Sequence, residues 1–338
     1  MLLTCQSGFE SYLARELVEL RGAVVAEKGP GWVRIGPAAG TPAWLPSVAF
    51  AHLTLLEPIE VSGDSVNGLA TKIATYFLEN LRGERIEGAW PNVWLGPHEL
   101  VGLGRRLSSV ESAFGEQLKK KLSRVAKLAT SDVPRTSGES RGLFVFFVDF
   151  GRALVARRAF VHGPRRMADD DLAPSRSYLK VEEAYVALGR EPVAGETVCD
   201  LGAAPGGWSY SAAKRGARVV AVDNGPLKGG ALENPLIEHL REDAFHYAPP
   251  STQPFDWLFC DLVEEPHHVL RDILVPWLER GWCRHFVVNL KFGRVDAIGL
   301  LRELQAPNGT QFAQVSELRV LHLYHDREEF TVVGSSRL

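Results

Sequence analysis

The run Asp200–Leu201–Gly202–Ala203–Ala204–Pro205–Gly206–Gly207–Trp208 has the residue types of a ligand-binding turn. Gly202, Gly206 and Gly207 remove Cβ atoms where a ligand must approach the backbone closely. Their spacing is G-x-x-x-G-G, not the G-x-G-x-x-G that cradles a pyrophosphate. The turn therefore suits a nucleoside without phosphates, for which S-adenosylmethionine is the candidate. Ala204 and Pro205 complete its bend, and Trp208 opens the element behind it. Asp223, 23 residues beyond Asp200, stands where a carboxylate accepts hydrogen bonds from ribose hydroxyls, or else caps the turn Asn224–Gly225–Pro226. Asp243, in Arg241–Glu242–Asp243, could accept from an adenine amino group or be an ordinary surface carboxylate. Asp200 either holds the turn or reaches the amino-acid part of the ligand.

Methyl transfer from a sulfonium is an in-line displacement, so the protein mainly positions and deprotonates the acceptor. An exocyclic amine acceptor calls for Asn or Asp followed by Pro-Pro and an aromatic residue; here the corresponding run is Asp261–Leu262–Val263–Glu264. Ring-carbon methylation of cytosine needs a thiol, but strand alternation points Cys260 away from Asp261, into the core. A hydroxyl acceptor served by a general base remains, and Lys291 ends the strand Phe286–Leu290. A lysine acts as base only if its pKa falls from ~10.4 toward neutrality, through desolvation or a neighbouring cation. Lys180 could be that cation, with Asp261 and Glu329 orienting the pair, although each carboxylate alone would raise a lysine pKa. By residue type alone, Lys180 and Glu329 read as solvated charges.

These side chains need a scaffold that brings them together. From Ala173 onward strands and helices alternate. A helix is expected over Ser177–Leu188, with strands at Thr197–Asp200, Arg218–Asp223, Trp257–Asp261 and His285–Lys291, a helix around Ala297–Leu304, and a closing pair, Leu318–Tyr324 and Phe330–Val333. The pattern predicts an α/β domain with a mostly parallel doubly wound sheet and an antiparallel edge hairpin. Ligands in such sheets bind outside the carboxyl ends of the strands, where Asp200, Asp223, Asp261 and Lys291 all fall.

The preceding residues divide differently. Residues 1–59 read as β-α-β-β, the front half of a ferredoxin-like domain. Residues 60–162 read as a second α/β segment, with a helix over Val66–Leu81 and short strands at Val93–Leu95 and Val101–Leu103. A long helix is expected from Val110 to about Ala129. Its apolar face would hold Val110, Phe114, Leu118, Leu122 and Val125, and its other face Lys120, Arg124 and Lys127. Residues 163–174 form a linker carrying Arg165 and Arg166, and residues 175–338 the doubly wound domain. Net charge is −3, yet Val101–Asp170 holds 14 Lys/Arg against 7 Asp/Glu. That asymmetry is the pattern of a local basic docking surface, and cations on one rigid face can track phosphates. No apolar run nears the ~18 residues of a membrane span, Met1–Cys5 carries no basic leader, and four dispersed cysteines suggest neither a zinc site nor disulfides. A cytoplasmic protein without a metal is expected, of unspecified oligomeric state.

Asp200–Trp208 resembles the cofactor motif of the FtsJ-like ribose methyltransferases. Ala173–Ser177, Leu179–Ala184, Val222–Pro226, Arg241–Asp243, Asn289–Lys291 and Leu323–Glu329 resemble one group of them more closely, the bacterial 23S rRNA cytidine 2′-O-methyltransferases (RlmM). The likeness covers nearly all of residues 175–338. Toward the N-terminus it is thinner, mainly Cys5–Glu10. It implies a Rossmann-like S-adenosylmethionine-dependent methyltransferase domain preceded by ferredoxin-like and THUMP-type RNA-binding regions, with large-subunit rRNA as partner. It further implies a Lys-Asp-Lys-Glu tetrad of Lys180, Asp261, Lys291 and Glu329, with Lys291 taking the 2′-hydroxyl proton. Glu329 is preferred to Glu328 because it directly precedes Phe330–Val333. Ser177, Ala204–Gly207, Asp223, Asp243 and Asp261 would line the cofactor site. Other readings are methylation of a tRNA or mRNA-cap ribose, and a non-catalytic rRNA-binding or assembly factor.

Overall fold

Short runs that are apolar on both faces, such as Val198–Cys199 and Trp257–Cys260, need cover on both sides of a sheet, which helices provide. The computed structural model describes residues 1–36, 40–81, 83–250, 253–306 and 312–337, and they fall into two units, Met1–Gly163 and Pro164–Leu338.

The N-terminal unit contains β1 (Leu2–Thr4), α1 (Glu10–Arg21), β2 (Val25–Gly29), β3 (Trp32–Ile35), β4 (Leu53–Leu56), β5 (Ile59–Ser62), α2 (Val66–Glu79), β6 (Trp90–Leu95), α3 (Leu103–Lys121), α4 (Ser123–Lys127), β7 (Ala129–Thr130), β8 (Gly138–Phe147) and β9 (Arg152–Val161). The two N-terminal segments expected from sequence share one sheet, ordered β2-β3-β1-β4-β9-β8-β6-β7, with β5 also paired to β9. β9 is the joint: it pairs with β4 through Leu53–Leu56 and with β5 through Ile59–Ser62.

Two expectations fail in this unit. Val101–Leu103 is not a strand, because Gly102 (φ 90°) opens α3 and Leu103 is already a buried helical residue. Nor does one helix run from Val110 to Ala129. It stops at Leu122, whose backbone is non-helical (φ −142°, ψ 66°), before the separate turn α4. Tertiary hydrogen bonds override the apolar periodicity. The Trp90 indole donates to the Val125 carbonyl (2.8 Å), the Trp90 backbone N–H donates to the Leu128 carbonyl (3.0 Å), and β7 then pairs with β6. Lys120 is therefore on α3, whereas Arg124 and Lys127 are on α4, and they do not form a stripe on one helix.

The C-terminal unit realises the predicted alternation: α5 (Tyr178–Leu188), β10 (Thr197–Leu201), α6 (Gly207–Lys214), β11 (Arg218–Val222), β12 (Ile237–Leu240), β13 (Phe255–Cys260), α7 (Pro266–Val269), a π-turn into α8 (Val275–Glu279), β14 (Cys283–Lys291), α9 (Ala297–Leu304), β15 (Arg319–Leu321) and β16 (Glu329–Ser335). The sheet order is β12-β11-β10-β13-β14-β16-β15. The first five strands are parallel, and β16 and β15 close the sheet antiparallel. Chain direction across the sheet reverses between β10 and β13, so the crevice at their carboxyl ends is the expected ligand position for this topology. α5 ends where Gly189 takes a left-handed turn (φ 70°), and α9 begins at Asp296, whose carboxylate accepts from the Gly299 N–H (3.0 Å). Trp257, Phe259, Val287 and Val333 form the packed base beneath the site.

Candidate active site

The glycine turn joins β10 to α6 directly. Gly202 and Gly206 have φ of 77° and 105°, where an L side chain is strained. The space their missing Cβ atoms leave is occupied by protein rather than kept for a ligand. A Cβ would lie 2.6 Å from Leu262 Cδ2 at Gly202, 2.5 Å from Ala231 Cβ at Gly206 and 2.9 Å from Ser177 Oγ at Gly207. The glycines let neighbouring segments pack against the turn and fix its shape. Gly206→Ala is accordingly expected to cost about 1–3 kcal/mol. A urea titration measures this, and an unchanged midpoint at constant slope would refute it.

Trp208 belongs to the core. It is buried, packs edge-on to Phe259, and its indole N–H donates to the Ser177 carbonyl (2.9 Å). Its large apolar ring is better satisfied beneath the turn than in a polar crevice, so it supports the site and does not line it. Asp200 is likewise buried and accepts from Ser209 Oγ (2.6 Å); burial, only partly opposed by that bond, pushes its carboxyl up to about 7. Its partner Ser209 lies on α6, the helix that follows the turn. Asp223 accepts from the N–H groups of Ala204 (3.0 Å) and Gly225 (2.6 Å), which ties the turn beside Pro205 to the end of β11. Asp243, half exposed after β12, accepts from the Phe245 N–H (2.9 Å). Ser175 Oγ and Ser177 Oγ lie 2.7 Å apart at the start of α5. The donor set fits a nucleoside-type cofactor. Carboxylates at the ends of two adjacent strands can receive hydroxyl and amino protons, and serine hydroxyls flank the turn.

Beside this cradle, four charged side chains from four elements converge. Lys180 Nζ lies 2.6 Å from Glu329 Oε1 and 3.6 Å from Asp261 Oδ2. Lys291 Nζ lies 2.8 Å from Asp261 Oδ1 and 3.5 Å from Glu329 Oε2. Two cations thus share two carboxylates in a closed cycle. Glu329 takes the place expected of it: β14 pairs with β16 so that Lys291 lies directly opposite Glu329. Burial alone would depress the Lys180 ammonium, but Asp261 and Glu329, with Asp326 behind them, outweigh it and hold its pKa above the usual value. Burial would raise Glu329, but the charge and hydrogen bond of Lys180 together with Lys291 hold it below the usual value. Lys180 is therefore a standing cation. Cys260 is fully buried, its thiol pushed up to about 12 by that burial, as befits a core residue.

Sequence reading did not single out the groups behind this cycle. The Asn289 side-chain amide donates to Asp261 Oδ1 (3.1 Å), and Thr331 and Asp326 lie behind it. Glu183, buried on α5, accepts from the backbone N–H groups of Arg165 (2.7 Å), Tyr324 (2.7 Å) and His325 (3.1 Å). It thereby ties the β15–β16 loop and the Arg165 backbone to the helix that carries Lys180. Period-two spacing from Lys291 and Glu329 would have pointed to Asn289 and Thr331; nothing in the sequence points to Glu183.

The predicted basic residues are divided between the two units. Much of the excess in Val101–Asp170 is consumed internally: Arg152 pairs with Glu27, Arg157 and Arg141 with Glu84, and Arg158 with Glu139. Lys119, Lys120, Lys121, Arg124 and Lys127 are exposed on the N-terminal unit, and Arg166 on the C-terminal unit, where Arg165 is half-buried. Among the described residues, no group of three or more His, Cys, Asp or Glu is arranged to hold a metal, and no helix is long and apolar enough to cross a membrane.

Residues 173–274 match the FtsJ-like methyltransferase family model. Fold and site thus define an S-adenosylmethionine-dependent methyltransferase. The chain is 34% identical to the ribosomal RNA large subunit methyltransferase M of Xanthomonas oryzae pv. oryzae, over 99% of this chain and 98% of the relative. It is 38% identical to the protein of the same name from Stenotrophomonas maltophilia, over 72% of this chain and 70% of that one. The chain belongs to the ribosomal RNA large subunit methyltransferase M family. Among solved structures, TrmN from Thermus thermophilus aligns over 99% of this chain and 98% of its own at 17% identity, with a TM-score of 0.36.

Proposed function

We propose that this protein methylates the 2′-hydroxyl of a ribose, that of a cytidine, in 23S large-subunit rRNA, with Lys291 as general base. The observation that carries the reading is the closed cycle of Lys180, Asp261, Lys291 and Glu329 at the carboxyl ends of β13 and β14. S-adenosylmethionine, when bound, supplies an electrophilic methyl group. Asp223, Asp243, Ser177 and the backbone of Ala204–Gly207 would hold it beside the cycle. Lys291 is the most open of the four, with its side chain 26% exposed against 13%, 16% and 5% for Lys180, Asp261 and Glu329. It is the member that an incoming hydroxyl can reach. In its neutral form it accepts the hydroxyl proton as the oxygen attacks in line. Lys180 keeps its charge on the same two carboxylates, while Asp261 and Glu329 hold both ammonium groups in register.

On this reading the C-terminal unit is a Rossmann-like catalytic domain, and residues 1–162 supply ferredoxin-like and THUMP-type RNA-binding modules. Lys120, Arg124 and Lys127, exposed on two consecutive helical segments, and Arg165 with Arg166 would engage RNA phosphates. The protein would act in the cytoplasm, where its substrate is made. The test is transfer of labelled methyl to rRNA from a strain lacking the enzyme, followed by mapping of the label. The expected result is one labelled cytidine ribose in 23S rRNA. Label on a base would overturn the hydroxyl acceptor, label confined to tRNA would overturn the substrate, and no transfer to any RNA would leave a binding factor.

A further inference from the structure

The antiparallel register of β14 and β16 stacks three cross-strand pairs on one face: Lys291 opposite Glu329, Asn289 opposite Thr331, and Val287 opposite Val333. Going inward from the site, an ion pair gives way to an amide–hydroxyl pair and then to the apolar core. The middle pair is fully buried, and so is Asp326 behind it. Thr331 Oγ1 lies 2.7 Å from Asn289 Oδ1 and 3.0 and 3.2 Å from the two oxygens of Asp326. A hydroxyl has one proton, and the three atoms around it would all be acceptors if Asp326 were ionised. The arrangement is satisfied only if Asp326 donates to Thr331 and Thr331 donates to Asn289. The amide is then fixed with its NH₂ toward Asp261 Oδ1 (3.1 Å), the same oxygen that Lys291 contacts at 2.8 Å.

We propose that Asp326, Thr331 and Asn289 form a directed hydrogen-bond relay that locks the Asn289 amide onto Asp261 and so sets how readily Lys291 releases its proton. All three are positioning residues acting through Asp261. Each hydrogen bond Asp261 accepts from Asn289 leaves it a weaker acceptor for the Lys291 ammonium. Without the relay the amide is held less firmly on Asp261 Oδ1, the oxygen it shares with Lys291, and a weaker amide bond there favours the protonated lysine. Burial of Asp326, reinforced by neighbouring Glu329, raises its carboxyl well above the usual range, as a donor requires. The other charged groups facing Lys291 are Glu329 on β16 and Lys180 on α5, and the relay leaves both in place.

This inference rests on Lys291 as base, and two readouts separate the two ideas. The first is the pH dependence of kcat for methyl transfer at saturating cofactor. The second is direct titration of the Lys291 ammonium, by nitrogen-resolved NMR of labelled lysine in the full-length protein. Thr331→Val removes the hydroxyl at constant shape, and both titrations should move up by about one pH unit, a ~10-fold loss below the midpoint. Thr331→Ser restores the hydroxyl and should restore both curves. Asp326→Asn keeps a neutral donor and an acceptor, and should leave both within a few tenths of a unit of wild type. An unmoved Lys291 titration in Thr331→Val, or equal shifts in the Val and Ser variants, overturns the relay. If Thr331→Val does not fold, Asp326→Asn decides: a shift as large as a full unit would mean that Asp326 acts as an anion. Movement of the Lys291 titration without movement of kcat would uphold the relay and overturn Lys291 as base.

Discussion

Lys291→Ala is expected to bind S-adenosylmethionine with nearly wild-type affinity and to lose methyl transfer by about 100- to 10,000-fold, the range in which a positioned general base contributes. The two effects should separate because Lys291 lies outside the cofactor cradle proposed for Asp223, Asp243 and the glycine turn. The protein should also fold. Asp261 keeps the Asn289 hydrogen bond and Lys180 at 3.6 Å, and Glu329 keeps Lys180 at 2.6 Å, so no buried carboxylate is stranded. Calorimetry of cofactor binding and single-turnover transfer of labelled methyl measure the two halves. The loss should persist at all pH values, since no titrating group remains to be recovered. Transfer at near-wild-type rate would remove Lys291 from the mechanism.

Lys180→Met should differ in kind. The remaining ammonium, Lys291, then faces Asp261 and Glu329 alone, a net negative environment that holds its proton more tightly. At neutral pH the rate should fall by about 10- to 100-fold, the consequence of a shift of one to two pH units. It should recover as pH is raised, which Lys291→Ala cannot do. The fold should suffer as well. Glu329, only 5% exposed, loses its 2.6 Å partner, and removal of one member of a buried pair typically costs about 3–5 kcal/mol. Glu329 is held below the usual carboxylate range in the folded protein, so its contribution is present above the unfolded carboxylate pKa and is lost as pH falls through the folded value. In the variant that acid-side dependence should flatten. Urea titrations at pH 4 and pH 7 and a pH–rate profile test both claims; a rate loss with no alkaline recovery would argue that Lys180 acts by other means.

What was legible in the sequence follows from where each constraint is written. Strand ends are local, so Asp261 and Lys291 could be placed from a few residues each, and the doubly wound sheet followed from its alternation. Lys180 and Glu329 are charges on otherwise ordinary elements, and only family resemblance distinguished them from solvated residues. Asn289 and Thr331 meet through cross-strand register, which belongs to the pairing of β14 with β16, and Asp326 reaches them from the loop before β16. The glycines were visible, but their reason was not: Ala231, Leu262 and Ser177, which fill the space, come from distant segments. The break at Leu122 was hidden because Leu118, Leu122 and Val125 keep helical spacing while Trp90, on another element, pulls the backbone away.

The pairing of β14 with β16 has a consequence for how such an enzyme can vary. Side chains alternate faces with each residue, so a slip of one position would turn Glu329 and Thr331 away from Lys291 and Asn289 together. A slip of two would keep the face but bring Lys291 opposite Thr331 and strand Glu329. Activity is therefore quantised in this coordinate: one alignment works, and its neighbours are not weakened forms of it. The loop between β15 and β16 has little room for length changes, because Asp326 accepts from the Leu323 N–H and Glu183 from those of Tyr324 and His325, and an insertion at the start of β16 would shift Glu329 and Thr331 together. The paired charges of the cycle and the hydrophobic core select the same alignment, so on the proposed reading the strand that completes the fold also proofreads the chemistry.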